Sequence, residues 1–177
     1  MKIATCTYLM SGGFALMGQQ QRTILGFKGY GGKVELGQTI RGNAVEEIWE
    51  ETGGKKQLRV TPEEEGGIFT REELLVPAGI IDFFNGTNIP ENDPSFRVYF
   101  FLCYTFAGRP VDTVEMMHHQ WFNKNYLPLD RLVRGDELFI PHLLQGQCIK
   151  GKIWRTEDWT RITNVDLEEV AVQSLDF

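Results

Sequence analysis

A chain of 177 residues that is 42% hydrophobic and 12% aromatic can bury a real core, which excludes a disordered polymer and suits one domain. Its net charge of -6 argues against a non-specific nucleic-acid binder, which needs a basic surface, but not against a small anion escorted by a cation. Cys6, Cys103 and Cys148 are scattered, without disulfide or metal-ligand spacing, and point to a reducing, cytoplasmic setting. No apolar run approaches the roughly 20 residues of a spanning helix.

Residues 3–10 are rich in Thr, Tyr and Leu and read as a first strand rather than a signal peptide. A turn is expected at 11–13, or a hairpin tip at 18–21, with short strands at 14–17 and 23–27 around a run of glutamines. A glycine-rich loop follows, with Gly29, Gly31 and Gly32. Residues 39–52 read as a helix with Thr39 as N-cap, Ala44, Ile48 and Trp49 on its buried side, and Gly53 just past its end. The segment 54–73 is polar and acidic, with Glu63, Glu64 and Glu65 in a row, and reads as solvated surface, with a short strand at 58–60. An irregular strand is expected over 74–84 and a loop over 85–94. Residues 96–106 are aromatic and β-branched without a breaker, the pattern of a central strand buried on both faces. Another strand covers 115–122. There His118 and His119 face opposite ways and form a poor chelating pair. A second helix is expected over 136–146, with Asp136 at its N-cap and Leu138, Phe139, Leu143 and Leu144 buried.

Chemistry concentrates between Gly31 and Gly54. Glu47, Glu50 and Glu51 stand three and four positions apart, so a helix places them on one face. Carboxylates crowded in this way suit a wet surface or a hard cation, which takes oxygen ligands and shares them with phosphates. The glycines ahead of the helix let backbone approach a bound group.

This stretch resembles the Nudix box of the Nudix hydrolases: a Gly, five residues, a Glu, seven residues, then R-E-U-x-E-E-x-G-U, with U a bulky aliphatic. Anchored on Gly32, the spacing holds from end to end. Gln38 stands for the first Glu, Glu46 for the Arg and Gly54 for the final aliphatic. The resemblance implies an α/β (α+β) fold with a mixed β-sheet sandwiched between helices, over one domain of residues 1–177 with an insertion near 55–75. It implies a small-molecule nucleotide substrate and Mg²⁺, with Mn²⁺ as an alternative, held by Glu47, Glu50, Glu51 and Gly32. Glu47, Glu50, Glu51 and Glu115 are the catalytic candidates, although Glu115 also reads as a surface loop carboxylate. Gly31, Gly32, Lys33, Phe27, Lys28 and Asp136 are the substrate-binding candidates. The chain looks most like the 8-oxo-dGTP diphosphatase branch, where Asp136 falls on one of two Asp residues that read the purine edge. Gly135 falls on the other, Val133 on a stacking Trp, and Lys28 on a base-contacting Asn. Hydrolysis of a purine nucleoside triphosphate, oxidised ones included, is the implied reaction. Glu46 is expected to add a fourth negative charge to the carboxylate face and raise its pKa values. The lost Arg and Glu keep a second reading open, a catalytically weak or inactive Nudix-fold binding module. Neither the base nor the oligomeric state is specified by these motifs.

Overall fold

A computed structural model describes residues 1–20, 26–54, 66–87 and 89–177. The strand expected at 58–60, the run Glu63–Glu65 and most of the strand at 23–27 lie outside the described residues. β1 (Lys2–Ser11) and β2 (Phe14–Gln20) form an antiparallel pair. The first turn candidate is formed, with Gly12 and Gly13 both at positive φ; of the second, residues 18–20 belong to β2 and Gln21 lies outside the described residues. β3 (Phe27–Lys28) adds a short rung to β2. β5 (Leu75–Asn85) carries a bulge between Pro77 and Gly79, the irregular start expected of it.

β6 (Phe96–Cys103) is the central strand, parallel to β1 on one side and antiparallel to β5 on the other. It stops three residues short of the expected end. Ala107–Arg109 forms β7, which pairs with β4 (Gly67–Phe69) in a separate two-stranded sheet. β4 lies inside the segment that reads as polar surface. β8 (Met116–Asn123) pairs with β2, while β9 (Cys148–Arg155) runs parallel to β5 and antiparallel to β10 (Ile162–Val170). The main sheet is therefore mixed, in the order β10-β9-β5-β6-β1-β2-β3, with β8 also on β2.

Strand periodicity builds a core on each face. Tyr8, Met10, Ile81, Phe100 and Leu102 point to one side, and Leu9, Ile80, Phe101 and Cys103 to the other. The second face is covered by α1 (Ile40–Glu51), through Ala44 and Ile48. Thr39 caps this helix, its hydroxyl accepting from Gly42 N at 2.9 Å. Trp49 is only half-buried, packed on Phe69. The first face is covered by Phe139, Ile140, Leu143 and Leu144.

The continuous helix expected over 136–146 is not formed. A 3-10 turn, Asp136–Leu138, precedes a short helix α2 (Ile140–Leu144), so Asp136 opens the turn and caps nothing. Pro141 is the reason: it lacks an N–H and its ring clashes with the carbonyl four residues back, so a helix cannot run through it from Asp136. The break exposes Leu138, and Ile140 takes its place in the core. No helix among the described residues is long and apolar enough to cross a membrane.

Candidate active site

The glycine loop is stitched edge-on to β1. Thr7 N donates to Tyr30 O at 2.6 Å, Tyr30 N to Thr7 O at 2.9 Å, and Thr5 N to Gly32 O at 2.9 Å. Contact is so close that a Cβ on Gly31 would overlap the Thr5 carbonyl. That approach aims Gly31 N at α1, where it donates to Glu51 Oε2 at 2.7 Å. Glu51 is 3% exposed. Lys28 enters from β3: its ammonium donates to Gly31 O at 3.0 Å and lies 3.6 Å from Glu51 Oε1. Burial pulls the Lys28 pKa down, but Glu51, Cys6 and Glu47 outweigh it and the net direction is up, so the ammonium stays charged. Burial pushes Glu51 up, with Lys28 and the Gly31 N–H pulling against it.

One helical turn earlier, Glu47 lays its carboxylate against Gly32, in space that a Cβ would occupy. Its pKa is pushed up to about 7, first by burial, then by Glu51, with Lys28 opposing and Glu50 and Glu115 adding smaller repulsions. Glu115 is exposed, yet its charge acts on both Glu47 and Glu51. The structure thus gathers all four acidic candidates into one electrostatic neighbourhood. Among the described residues no three carboxylate, His or Cys side chains meet at one point, and Glu51 leans towards Lys28 instead.

A cleft of about 270 Å³ opens beside this loop, and Lys28, Gly31, Gly32, Lys33 and Asp136 all line it. Phe27 does not. It is 2% exposed, its ring set edge-on to Phe122 and under the Arg131 guanidinium, and it belongs to the core behind the cleft. Asp136 is 7% exposed, and no hydrogen-bond donor among the described residues reaches its carboxylate. Burial pushes its pKa up to about 7, with Arg155 opposing and Glu137 assisting. Arg155, buried near it, is lowered to about 10 by burial, against the pull of Asp136. Arg155 and Trp159 join the lining from the β9–β10 hairpin, and sequence reasoning missed both, because nothing local marks a hairpin loop as a cleft wall.

His119 is structural. Its Nδ1 bonds Tyr30 OH at 2.8 Å, its Nε2 bonds Val111 O at 3.0 Å, and its ring stacks on Tyr30. Burial lowers its pKa, favouring the neutral ring.

No family model matches the chain. A Mus musculus protein named oxidized purine nucleoside triphosphate hydrolase is 31% identical over 163 residues, covering 86% of this chain and 90% of its own. A MutT protein from Bacillus halodurans superimposes with a TM-score of 0.73 at 20% identity, over 95% of this chain and 98% of that one. A MutT NUDIX hydrolase from Burkholderia pseudomallei gives 0.52 at 19% identity, over 72% and 86%. The chain belongs to the Nudix hydrolase family. Its class is that of a Nudix pyrophosphohydrolase.

The departures from the Nudix box now have physical partners. Gln38 Nε2 donates to Glu46 Oε2 at 2.5 Å, so the two changed positions form one hydrogen-bonded pair. Gln38 Oε1 also accepts from Glu35 N at 2.8 Å and from Asn43 Nδ2 at 3.2 Å. The bond orients the Glu46 carboxylate and leaves its negative charge in place. The charges that raise Glu47 and Glu51 come from the other glutamates, and burial exceeds them all. Gly54 is explained by Trp49, whose indole fills the space where any larger residue would put its Cβ. Asn43, a poor helix former, is buried and pins the Nudix loop to α1. Its amide donates to Lys33 O at 2.9 Å and its Oδ1 accepts from Thr5 Oγ1 at 2.7 Å. Its place in the first turn of the helix, one residue before the buried Ala44, is the signal that could have found it.

Proposed function

We propose that this Nudix enzyme hydrolyses purine nucleoside triphosphates, oxidised ones included, to the monophosphate and pyrophosphate. The observation that carries the reading is a continuity. The cleft runs from the glycine loop, against which Glu47 and Glu51 pack, to a buried Asp136 that no described donor satisfies. That suits a ligand with phosphates at one end and a hydrogen-bonding ring at the other. The name of the mouse relative supports the same substrate class.

The donor set fits Mg²⁺, with Mn²⁺ as an alternative. It is all oxygen, from Glu47, Glu50, Glu51 and the Gly32 carbonyl, and repulsion from Glu51, Glu50 and Glu115 adds to the burial that raises Glu47 to about 7. Such a cation neutralises charge on the pyrophosphate and makes an attacking water more acidic. Glu47 accepts a proton from that water, with Glu50 or Glu115 as the alternatives. Lys28 and Lys33 bring positive charge to the phosphates, and Gly31 and Gly32 line the same cleft. On this reading residues 1–177 form one domain with an insertion near 55–75, working in the cytoplasm on free nucleotides.

Phosphate and pyrophosphate release from a panel of nucleotides, with and without Mg²⁺, tests the proposal. Mg²⁺-dependent pyrophosphate release from a purine triphosphate is expected, abolished in Glu50→Gln and Glu51→Gln. Silence across the panel with nucleotide still bound would replace it with the binding module.

A further inference from the structure

The far wall of the cleft is built by a loop that the box does not require. Residues 156–161 connect β9 to β10 and fold around Asp158, whose Oδ1 accepts from Thr156 Oγ1 at 2.5 Å, Thr160 Oγ1 at 2.9 Å and Thr160 N at 3.2 Å. Trp159 N donates to Thr156 O at 2.9 Å. The loop holds Trp159 at φ +63, a left-handed conformation that is rare for a bulky side chain. Of the four tryptophans, Trp49 packs on Phe69, Trp121 on Phe106 and Trp154 on Phe84; Trp159 alone lines the cleft.

Its indole is held there by a stack. The Arg155 guanidinium lies 4.1 Å from the Trp159 ring centroid and 4.4 Å from that of Phe83, so a planar cation is sandwiched between two aromatic faces. Arg155 is itself fixed, its Nε donating to Asn85 Oδ1 at 2.6 Å. Phe96 meets the indole edge-on at 6.4 Å. The ring is only half-buried, so a core role does not account for it. In the same cleft lies Asp136, more than nine-tenths buried, its carboxylate open to the cleft and without a hydrogen-bond donor among the described residues. A flat aromatic wall beside a buried carboxyl needing a partner matches a planar heteroaromatic with an N–H on its edge.

We propose that Trp159 is the stacking platform for the purine base, held against the cleft by Arg155, with Asp136 satisfied by the edge of the ring. The inference rests on the reading of the cleft as a purine nucleotide site and adds the residue that grips the base. The polar groups and the phosphate end stay as described, so Trp159 is a binding residue and not a catalytic one.

The test uses the full chain and ligands that are not turned over: dGMP and 8-oxo-dGMP, with Mg²⁺-pyrophosphate as the control that has no base. Binding is followed by calorimetry and by tryptophan fluorescence. Trp159→Ala is expected to weaken both monophosphates about tenfold or more, the usual effect of removing an aromatic that stacks on a base, and to leave pyrophosphate binding unchanged. Trp159→Phe should restore most of the affinity while abolishing the fluorescence quench. In turnover, the Ala variant should raise KM and leave kcat within about threefold. If Trp159→Ala binds the monophosphates as the wild type does, the platform is overturned and the nucleotide reading survives. If the wild type binds pyrophosphate but neither monophosphate, both fall together.

Discussion

Removing one negative charge from the centre of the site should stabilise the metal-free protein. Glu47 titrates at about 7 in the fold, against an ordinary value of 4.5. A carboxyl whose folded pKa is raised binds more protons folded than unfolded. Its stabilising contribution is complete below 4.5, falls as pH rises towards 7, and is lost above that. The gap converts, at about 1.36 kcal/mol per pH unit, to about 3 kcal/mol. Glu47 is only half-buried, and solvent screening reduces this to about 1–2 kcal/mol. Glu47→Gln keeps the shape and removes the charge. Urea unfolding in the presence of a chelator should show the variant more stable than wild type by about that amount above pH 7, with the difference vanishing near pH 4.5. Mg²⁺ should reverse the order, raising the melting temperature of the wild type and leaving the variant nearly unmoved. A variant that is less stable at alkaline pH, or a difference that does not depend on pH, would refute the argument that burying this carboxylate beside its like-charged neighbours stores the energy.

The Gln38–Glu46 pair makes a second prediction, because the charges of the two positions are coupled. Gln38→Glu alone should destabilise by about 1 kcal/mol through like-charge contact, Glu46→Arg alone should lose the bond, and the double variant should recover stability; additive effects in the cycle would show the two positions to be independent. Gly31→Ala should cost more than about 2 kcal/mol and abolish turnover, since its Cβ overlaps the Thr5 carbonyl and displaces the N–H that holds Glu51; a wild-type melting curve would contradict this. For Asp136, titrating at about 7, purine monophosphate affinity should change across neutrality as the carboxyl gives up its proton and becomes acceptor-only, and Asp136→Asn should flatten that profile. A wild-type affinity that is constant through that range would remove Asp136 from the base site. Lys28→Met should leave Glu51 buried without its cation, destabilising the fold by about 3 kcal/mol in thermal unfolding; no loss would mean that the ion pair is dispensable.

How much was legible in the sequence depends on the range of the interaction. α1 is encoded within its own residues, by a Thr cap, apolar positions at helical spacing and a glycine past the end, and it appears where expected. β6 declares itself by an unbroken aromatic and β-branched run, and β1 by its Thr, Tyr and Leu. The spacing of the Nudix box was sufficient to place Glu47, Glu50 and Glu51 on one helix and to bring the glycines to meet them. The split of the second helix was also local, since Pro141 is visible in the chain, but a strong apolar pattern masked it.

Everything that distinguishes this site from a generic box came from contacts between residues distant along the chain or from partners that spacing does not reveal. Gln38 and Glu46 read as two separate departures until the fold is seen to join them in one hydrogen bond. Lys28 reads as one loop residue among several until β3 turns its ammonium onto Glu51, twenty-three positions on. β4 is three residues in a polar stretch and exists because β7 pairs with it. Arg155 and Trp159 carry no motif and become a cleft wall only when the parallel pairing of β9 with β5 sets Arg155 beside Phe83. Local propensity and periodicity determine where the elements lie and which face of α1 is acidic, because those depend on neighbours within a turn or two. Burial determines the charge balance and the shape of the cleft, because it exists only once the sheet has closed over them.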